Sequence, residues 1–275
     1  MAFIALSVFF IFIFYKGVNA FSIKLIFDDT PPLDALMLQA RVFNGIFNAI
    51  VGSFFVVFVS IILALPLGFL SGIYVACYAS KNVRFWMGFL CELLSSMPSI
   101  VIGLFGLSVT IFLHKNFFAE LYPSLLISAC SLAILVIPYI IKMTESSLCQ
   151  IPFSIKNVGL NLGASKTQNL FFVQLPYVSK EILGGIILAT GRAVEDTAVI
   201  MMTGAVAMAG IPSSIFQKYE ALPFFIYHIS SEYSSKEQIN QGFGAAILLL
   251  GVSLFLFATA FALRKIISKR SGFGI

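Results

Sequence analysis

The sequence predicts an all-α membrane protein with about six transmembrane helices, and three observations carry that reading. Hydrophobic residues make up 59% of the chain and charged residues 11%, against about 25% charged in an ordinary soluble domain. Mean hydropathy is +1.00 and the 275 residues include 30 phenylalanines, more apolar surface than one soluble core encloses. Apolar runs reach roughly 18 residues or more, the mark of helical spans rather than barrel strands. The net charge of +5 reads as membrane topology rather than nucleic-acid binding, because the basic residues sit in loops and not on one patch. Cys77, Cys91, Cys130 and Cys149 show neither paired nor metal-like spacing, and read as small apolar helix residues.

The first apolar run, Phe3 to Tyr15, is short for a span. Val18-Asn19-Ala20 resembles a signal-peptidase site, yet no positive charge precedes the run, so we read it as a first transmembrane helix. Residues 16–40 form a loop with the turn chemistry Asp28-Asp29-Thr30-Pro31-Pro32. The run 42–76 exceeds one perpendicular span. Asn44 and Asn48 mark an interfacial start, and Pro66 with Gly68 predicts a kink. A third run, Phe85 to Leu113, is interrupted at Ser95-Ser96-Met97-Pro98-Ser99. Such a break either lines a pathway or is a plain proline kink, and a broken helix at membrane depth is tolerated only inside protein or beside a cavity. The fourth span is expected over about 123–141, the fifth over about 182–209 and the sixth over about 242–263.

Charge orients these spans. The Lys81/Arg84 loop, the 142–180 segment and the tail carry two, four and four Lys/Arg, whereas the opposite loops carry six. Both termini and the 143–180 loop are therefore expected in the cytoplasm. The implied organisation is a first helix and external loop over 1–40, the main transmembrane domain over 41–265, and a cytoplasmic tail over 266–275. Within the 143–180 loop, Gly159 to Thr167 superficially suggests a phosphate loop. That motif needs four residues between its glycines and Lys directly after the second, whereas Gly159 and Gly163 enclose three and Lys166 comes two residues late.

Arg192, Glu195 and Asp196 fall in the fifth apolar run, where a central charge costs about 2.5–3.5 kcal/mol on insertion scales. On a helix Arg192 meets Glu195 at i+3 and Asp196 at i+4. Three roles are open: a structural or gating ion pair, direct contact with an oxyanion through the guanidinium fork, or charges beside a wet cavity. A carboxylate here also suits a proton relay in a secondary transporter, but the inverted repeat that would mark one is not visible.

Gly163, nine further residues, then Val173-x-Leu175-Pro176 resembles the cytoplasmic EAA loop of ABC importer permeases, whose pattern is E-A-A-x3-G-x9-I-x-L-P. The EAA triplet itself is replaced by Asn157-Val158-Gly159. Pro98-Ser99-Ile100-Val101-Ile102-Gly103-Leu104-Phe105-Gly106 and Arg192-Ala193-Val194-Glu195-Asp196-Thr197-Ala198 resemble the P-S-I-V-x-G-L-F-G and R-A-x-G-E-T-A segments of phosphate-importer permeases. Asn48-Ala49-Ile50 and Leu222 to Tyr227 favour the PstA-type subunit over its PstC-type partner.

The resemblance covers about residues 42–265 and implies a type I ABC importer permease fold. It further implies a bacterial or archaeal cytoplasmic membrane, with lipid around the chain and no nucleic acid. The expected partners are a second permease, two ATPase subunits and an external phosphate-binding protein. ATP and Mg would be held by the ATPases, with no cofactor, metal or catalytic residue on this chain. Lys156, Asn157, Val158, Gly159, Gly163, Lys166, Leu175 and Pro176 would form the coupling element. Pro98, Ser99, Arg192, Glu195, Asp196 and Thr197 would line or gate the substrate pathway. The remaining alternative is a permease of this class for another oxyanion or small solute.

Overall fold

Helices occupy the apolar runs in a computed structural model that describes all residues except 19–22, 29, 38–44, 234 and 271–275. Asn19, Ala20, Asp29, Arg41 and Asn44 of the sequence reading, and the last five residues of the expected tail, lie outside the described residues. In chain order the helices are α1 Ala2–Val18, α2 Ile23–Phe27, α3 Pro32–Leu36, α4 Phe47–Cys77, α5 Lys81–Ser96, α6 Ser99–Asn116 and α7 Leu125–Cys149. They continue with α8 Phe153–Lys156, α9 Val158–Asn161, α10 Lys166–Asn169, α11 Leu175–Glu195, α12 Ala198–Thr203, α13 Leu222–Glu232 and α14 Lys236–Arg270. A π-helical turn, Leu170–Gln174, joins α10 to α11.

Five stretches among the described residues are long and apolar enough to cross a membrane: Phe47–Cys77, Ser99–Asn116, Leu125–Cys149, Lys166–Glu195 and Gln238–Thr259. Helix α1, the remaining expected span, has 17 residues, about 25 Å at 1.5 Å per residue against a hydrocarbon core of about 30 Å.

One open alternative is decided and two expectations change. The third run is two helices, so the interruption at Ser95–Ser99 is a break rather than a plain kink. Ser80 caps α5 by accepting from Val83 N–H at 3.4 Å, and α5 ends at Ser96 because Met97, preceding Pro98, is extended (ψ 135°). Pro98 then opens α6, where its missing N–H costs nothing. The 143–180 loop shrinks at both ends, since α7 continues to Cys149 and the helical stretch that becomes α11 starts at Lys166. The fifth span does not reach 209. It stops at Glu195, restarts for one short helix, α12, and gives way to an irregular segment over 204–221.

The chain divides into two compact units, one of residues 1–60, 98–132 and 194–254, the other of residues 61–97, 133–193 and 255–275. In the first, α12 lies on α6, where a Cβ at Gly103 would come within 3.0 Å of Ala198 O. The 204–221 segment is pinned by main-chain hydrogen bonds, Leu125 N–H to Gln217 O (2.9 Å) and Leu126 N–H to Ile215 O (2.8 Å), and the end of α12 before it by Ser124 N–H to Thr203 O (2.9 Å). The two ends of the 204–221 segment meet in an isolated bridge between Ala205 and Tyr219, and the Tyr219 side chain is fully buried.

In the second unit α4 and α7 approach at a small-residue stripe. A Cβ at Gly68 would lie 2.8 Å from Ile140 Cβ, and one at Gly72 would lie 2.6 Å from Thr144 Cβ. Gly68 and Gly72 are four apart, the spacing that lets helix backbones pack closely in a membrane. Ile73, Ala76, Leu148, Ile151, Leu170, Val178 and Ile182 form a buried cluster, with Ile155 and Leu175 packed against it.

Candidate functional site: the hairpin and the broken fifth span

The hairpin between α7 and α11 is built from short helical turns around one staple. Asn169 is buried. Its Nδ2 donates to Lys156 O at 2.7 Å and its Oδ1 accepts from Gly159 N–H at 3.2 Å, so one side chain ties α10 to both α8 and α9. A Cβ on Gly159 would meet Asn169 Oδ1 at 2.5 Å, so only glycine lets α9 come this close. Gly163 has φ +85°, a left-handed conformation in which Cβ is penalised, and nothing lies near its missing Cβ. Its value there is backbone freedom alone. The chain re-enters helix at Ser165, whose hydroxyl accepts from Gln168 N–H while Gln168 Oε1 accepts from Ser165 N–H at 2.8 Å, a complete capping box.

Leu175 and Pro176, the end of the loop signature, follow the π turn. Leu175 N–H bonds Leu170 O, five residues back. Pro176 has no N–H to continue the usual ladder, and a π turn is one way a helix absorbs such a gap. Leu175 is partly buried against the Ile73–Leu148–Ile182 cluster. The hairpin's root is thus set among the ends of α4, α7 and α11, whereas its tip presents Phe153 (81% exposed) and Leu162 (83% exposed). Val158 and Leu160 are exposed beside them.

Two charged residues that the sequence reading used only for topology hold this region together. Arg84 donates from Nη2 to Val75 O (2.9 Å) and Ala76 O (2.8 Å), and from Nε to Val75 O (3.2 Å), closing the last carbonyls of α4. Its Nε also lies 3.8 Å from Glu145 of α7. Lys142 meets Glu92 at 3.2 Å.

At the other candidate site, Glu195 is the last residue of α11 and is exposed. Arg192 is partly buried, one turn earlier. Asp196, only 3% exposed, accepts from Val199 N–H through Oδ1 at 2.8 Å. Its carboxylate therefore satisfies the first turn of α12, a capping role placed where the helix dipole favours negative charge. Asp196 and Thr197 are the two residues between the helices. The Pro98–Gly106 and 192–198 segments are brought together through α12, which lies on Gly103; Ser99 is one turn before that glycine.

A buried acid was missed. Glu220, 7% exposed, accepts from Gly210 N–H at 2.7 Å and from Asn48 Nδ2 at 3.5 Å. Burial pushes its carboxyl above the usual range, and these two hydrogen bonds oppose that shift. Asn48 had drawn notice by its position, but no local pattern links it to a residue 172 positions away.

A helical membrane protein with long apolar spans, a hairpin rooted among their ends and a break at Asp196-Thr197 fits the permease class of ABC importers. The chain belongs to the family of binding-protein-dependent transport system inner membrane components, whose model matches residues 68–272. It is 28% identical over 264 residues to a probable ABC transporter permease protein, YqgI, of Bacillus subtilis, covering 90% of this chain and 85% of that one. It is 29% identical to the phosphate transport system permease protein PstA of Haemophilus influenzae (91% and 84% covered), and 30% identical to that of Yersinia pestis (76% and 70% covered). Among solved structures, a bacterial alginate ABC transporter chain aligns with a TM-score of 0.65 at 14% identity, covering 100% of this chain and 95% of that one. A MetNI methionine ABC transporter chain aligns with a TM-score of 0.58 at 16% identity, covering 86% and 99%. These likenesses establish the type I importer permease fold. With the PstA relatives, the chain is a permease of the PstA type, and the secondary-transporter alternative is set aside.

Proposed function

We propose that this chain is one of two different permease subunits that form the transmembrane pathway of an ATP-driven inorganic phosphate importer. A second permease completes the pathway, an external binding protein delivers the anion, and two ATPase subunits binding ATP and Mg dock on the cytoplasmic side. The observation that carries the reading is the run of PstA relatives over three quarters or more of this chain, joined to the hairpin whose exposed apolar tip continues into a buried root. Movement imposed on Phe153 and Leu162 is passed through Ile155 and Leu170 to the ends of α4, α7 and α11.

In this reading Arg192 supplies donors for the oxyanion at the pathway, and Glu195 accepts a hydrogen bond from a protonated phosphate, which sulfate at neutral pH does not offer. Asp196 is occupied with α12 and acts by holding the break rather than by touching the anion. Pro98 and Ser99 begin the helix against which α12 rests. The termini and the hairpin face the cytoplasm.

The test is uptake of radiolabelled phosphate by proteoliposomes holding the whole complex and internal ATP. Uptake should require ATP and the binding protein, and equal sulfate or molybdate should leave it unchanged. Transport of sulfate in place of phosphate would overturn the substrate while leaving the permease class intact.

A further inference from the structure

The hairpin is basic without internal compensation. From Ser146 to Lys180 the chain contains Lys156, Lys166 and Lys180 and no Asp or Glu. Lys156 and Lys166 line a cavity of about 170 Å³ at the hairpin's base, together with Cys77, Asn157, Leu160 and Gln174. No ion pair among the described residues involves either lysine. Gln174 is 7% exposed, and its Oε1 has no hydrogen-bond partner.

Leu160 of the cavity wall is exposed, as are Phe153, Val158 and Leu162 elsewhere on the same hairpin. Apolar side chains grouped in this way are suited to cover by another protein. Covering them removes water from the two ammonium groups as well, and a desolvated charge left unpaired is costly. The chain has no carboxylate in this segment to offset that cost. The negative charge has to come from whatever covers the hairpin.

We propose that the cavity is a socket for a carboxylate side chain of the docking ATPase subunit, which pairs with Lys156 and Lys166. The inference rests on the coupling role proposed above and adds its polarity. Where the E-A-A pattern places a glutamate, this chain has the uncharged Asn157, which leaves Lys156 and Lys166 as the charged groups of the cavity wall. At about 30 Å³ for each water in the liquid, the cavity holds a side-chain tip and a few waters but not a nucleotide.

Cys77 in the cavity wall makes the socket measurable. The assembled transporter is purified with Cys130 and Cys149 changed to Ser, and alkylation of Cys77 is followed by mass spectrometry. With the ATPase stripped by high salt, an anionic thiol reagent should react faster than a cationic one of equal size. Rebinding the ATPase should slow both at least tenfold. Millimolar inorganic phosphate, or vesicles containing anionic phospholipid, should leave the rate unchanged when added without the ATPase. Protection by either would overturn the proposal in favour of a free anion or a lipid headgroup.

In parallel, Lys156→Glu with Lys166→Glu should weaken ATPase retention at least tenfold. A Lys substitution of the facing carboxylate on the ATPase should restore it. Retention unchanged in the Lys156→Glu, Lys166→Glu variant would also overturn the proposal. Should that variant fail to insert, Cys77 protection in the lysine-bearing protein still decides. Neither readout measures phosphate transport, so a wrong substrate assignment would leave this result standing.

Discussion

Gly163 shows how one backbone angle sets the behaviour of a hairpin. Its φ of +85° with open space around it means that a side chain there meets no neighbour but strains the turn, by roughly 1–2 kcal/mol for a β-branched residue. Gly163→Val should therefore insert and assemble, yet transport poorly while ATP is still hydrolysed; Gly163→Asn, which tolerates this region, should transport better than Val. Parallel assays of ATPase rate and phosphate uptake check this, and normal uptake by Gly163→Val would make the hairpin a passive loop. Asp196 is tested by chemistry. Asp196→Asn keeps an oxygen for Val199 N–H and should retain assembly. Asp196→Ala should lose about 0.5–2 kcal/mol of local stability, read as faster proteolysis near α12. If both variants assemble equally well, the cap is unimportant.

Glu220 adds a pH dependence with a defined sign. Its carboxyl is raised in the folded protein by burial, so the folded state holds its proton to higher pH than the unfolded chain does. Stability from this group is therefore present at low pH and declines as pH rises from the usual carboxylate value through the raised one. Glu220→Gln keeps an acceptor for Gly210 and Asn48 and should flatten that slope in thermal unfolding of the purified complex. Glu220→Ala should destabilise by about 1–3 kcal/mol at every pH, because it leaves Gly210 N–H without its acceptor. A slope unchanged by Glu220→Gln would show that another group titrates.

At the scale of elements, the end of α4 is held by a residue that is not part of it. Arg84 closes Val75 and Ala76 carbonyls and approaches Glu145 on α7, beside the cluster into which the hairpin is rooted. Arg84→Ala should fray the last turn of α4 and raise hydrogen exchange over residues 73–78 without altering exchange in α6. Lys at this position keeps the charge but not the fork, and should restore only part of the protection. Equal exchange in Arg84→Ala and the parent protein would remove the capping role.

For the whole molecule, the number of spans has a direct readout. Helix α1 is 17 residues long and nearly all of it is exposed, which suits contact with lipid better than a soluble surface. If it crosses the membrane, a reporter at the N-terminus and one after Arg270 should lie on the same, cytoplasmic side, and one near Ser231 should be external. An external N-terminal reporter would reduce the spans to the five long helices. Thinning of the bilayer or helix tilt accommodates the short span at modest cost.

Composition and hydropathy by themselves determined the helical membrane class, because the bilayer leaves the backbone no other way to satisfy itself through such long apolar runs. The resemblance to importer permeases was also legible in the sequence, since the loop signature of Gly163 and Leu175-Pro176 lies within one short stretch of chain. The Gly68–Gly72 packing stripe is equally present in the sequence, as small residues four apart, but only Gly68 carries a sequence expectation, as part of a kink with Pro66. Tertiary structure alone decided where the fifth span ends. Hydropathy continues past Glu195 to Ala209, and only the seat of α12 on α6, with Asp196 capping it, explains why the helix breaks. It alone also decided the roles of Arg84, Asn169 and Glu220. Each acts on groups 8 to 172 positions away in sequence, and such pairings depend on how the chain returns upon itself rather than on any local pattern.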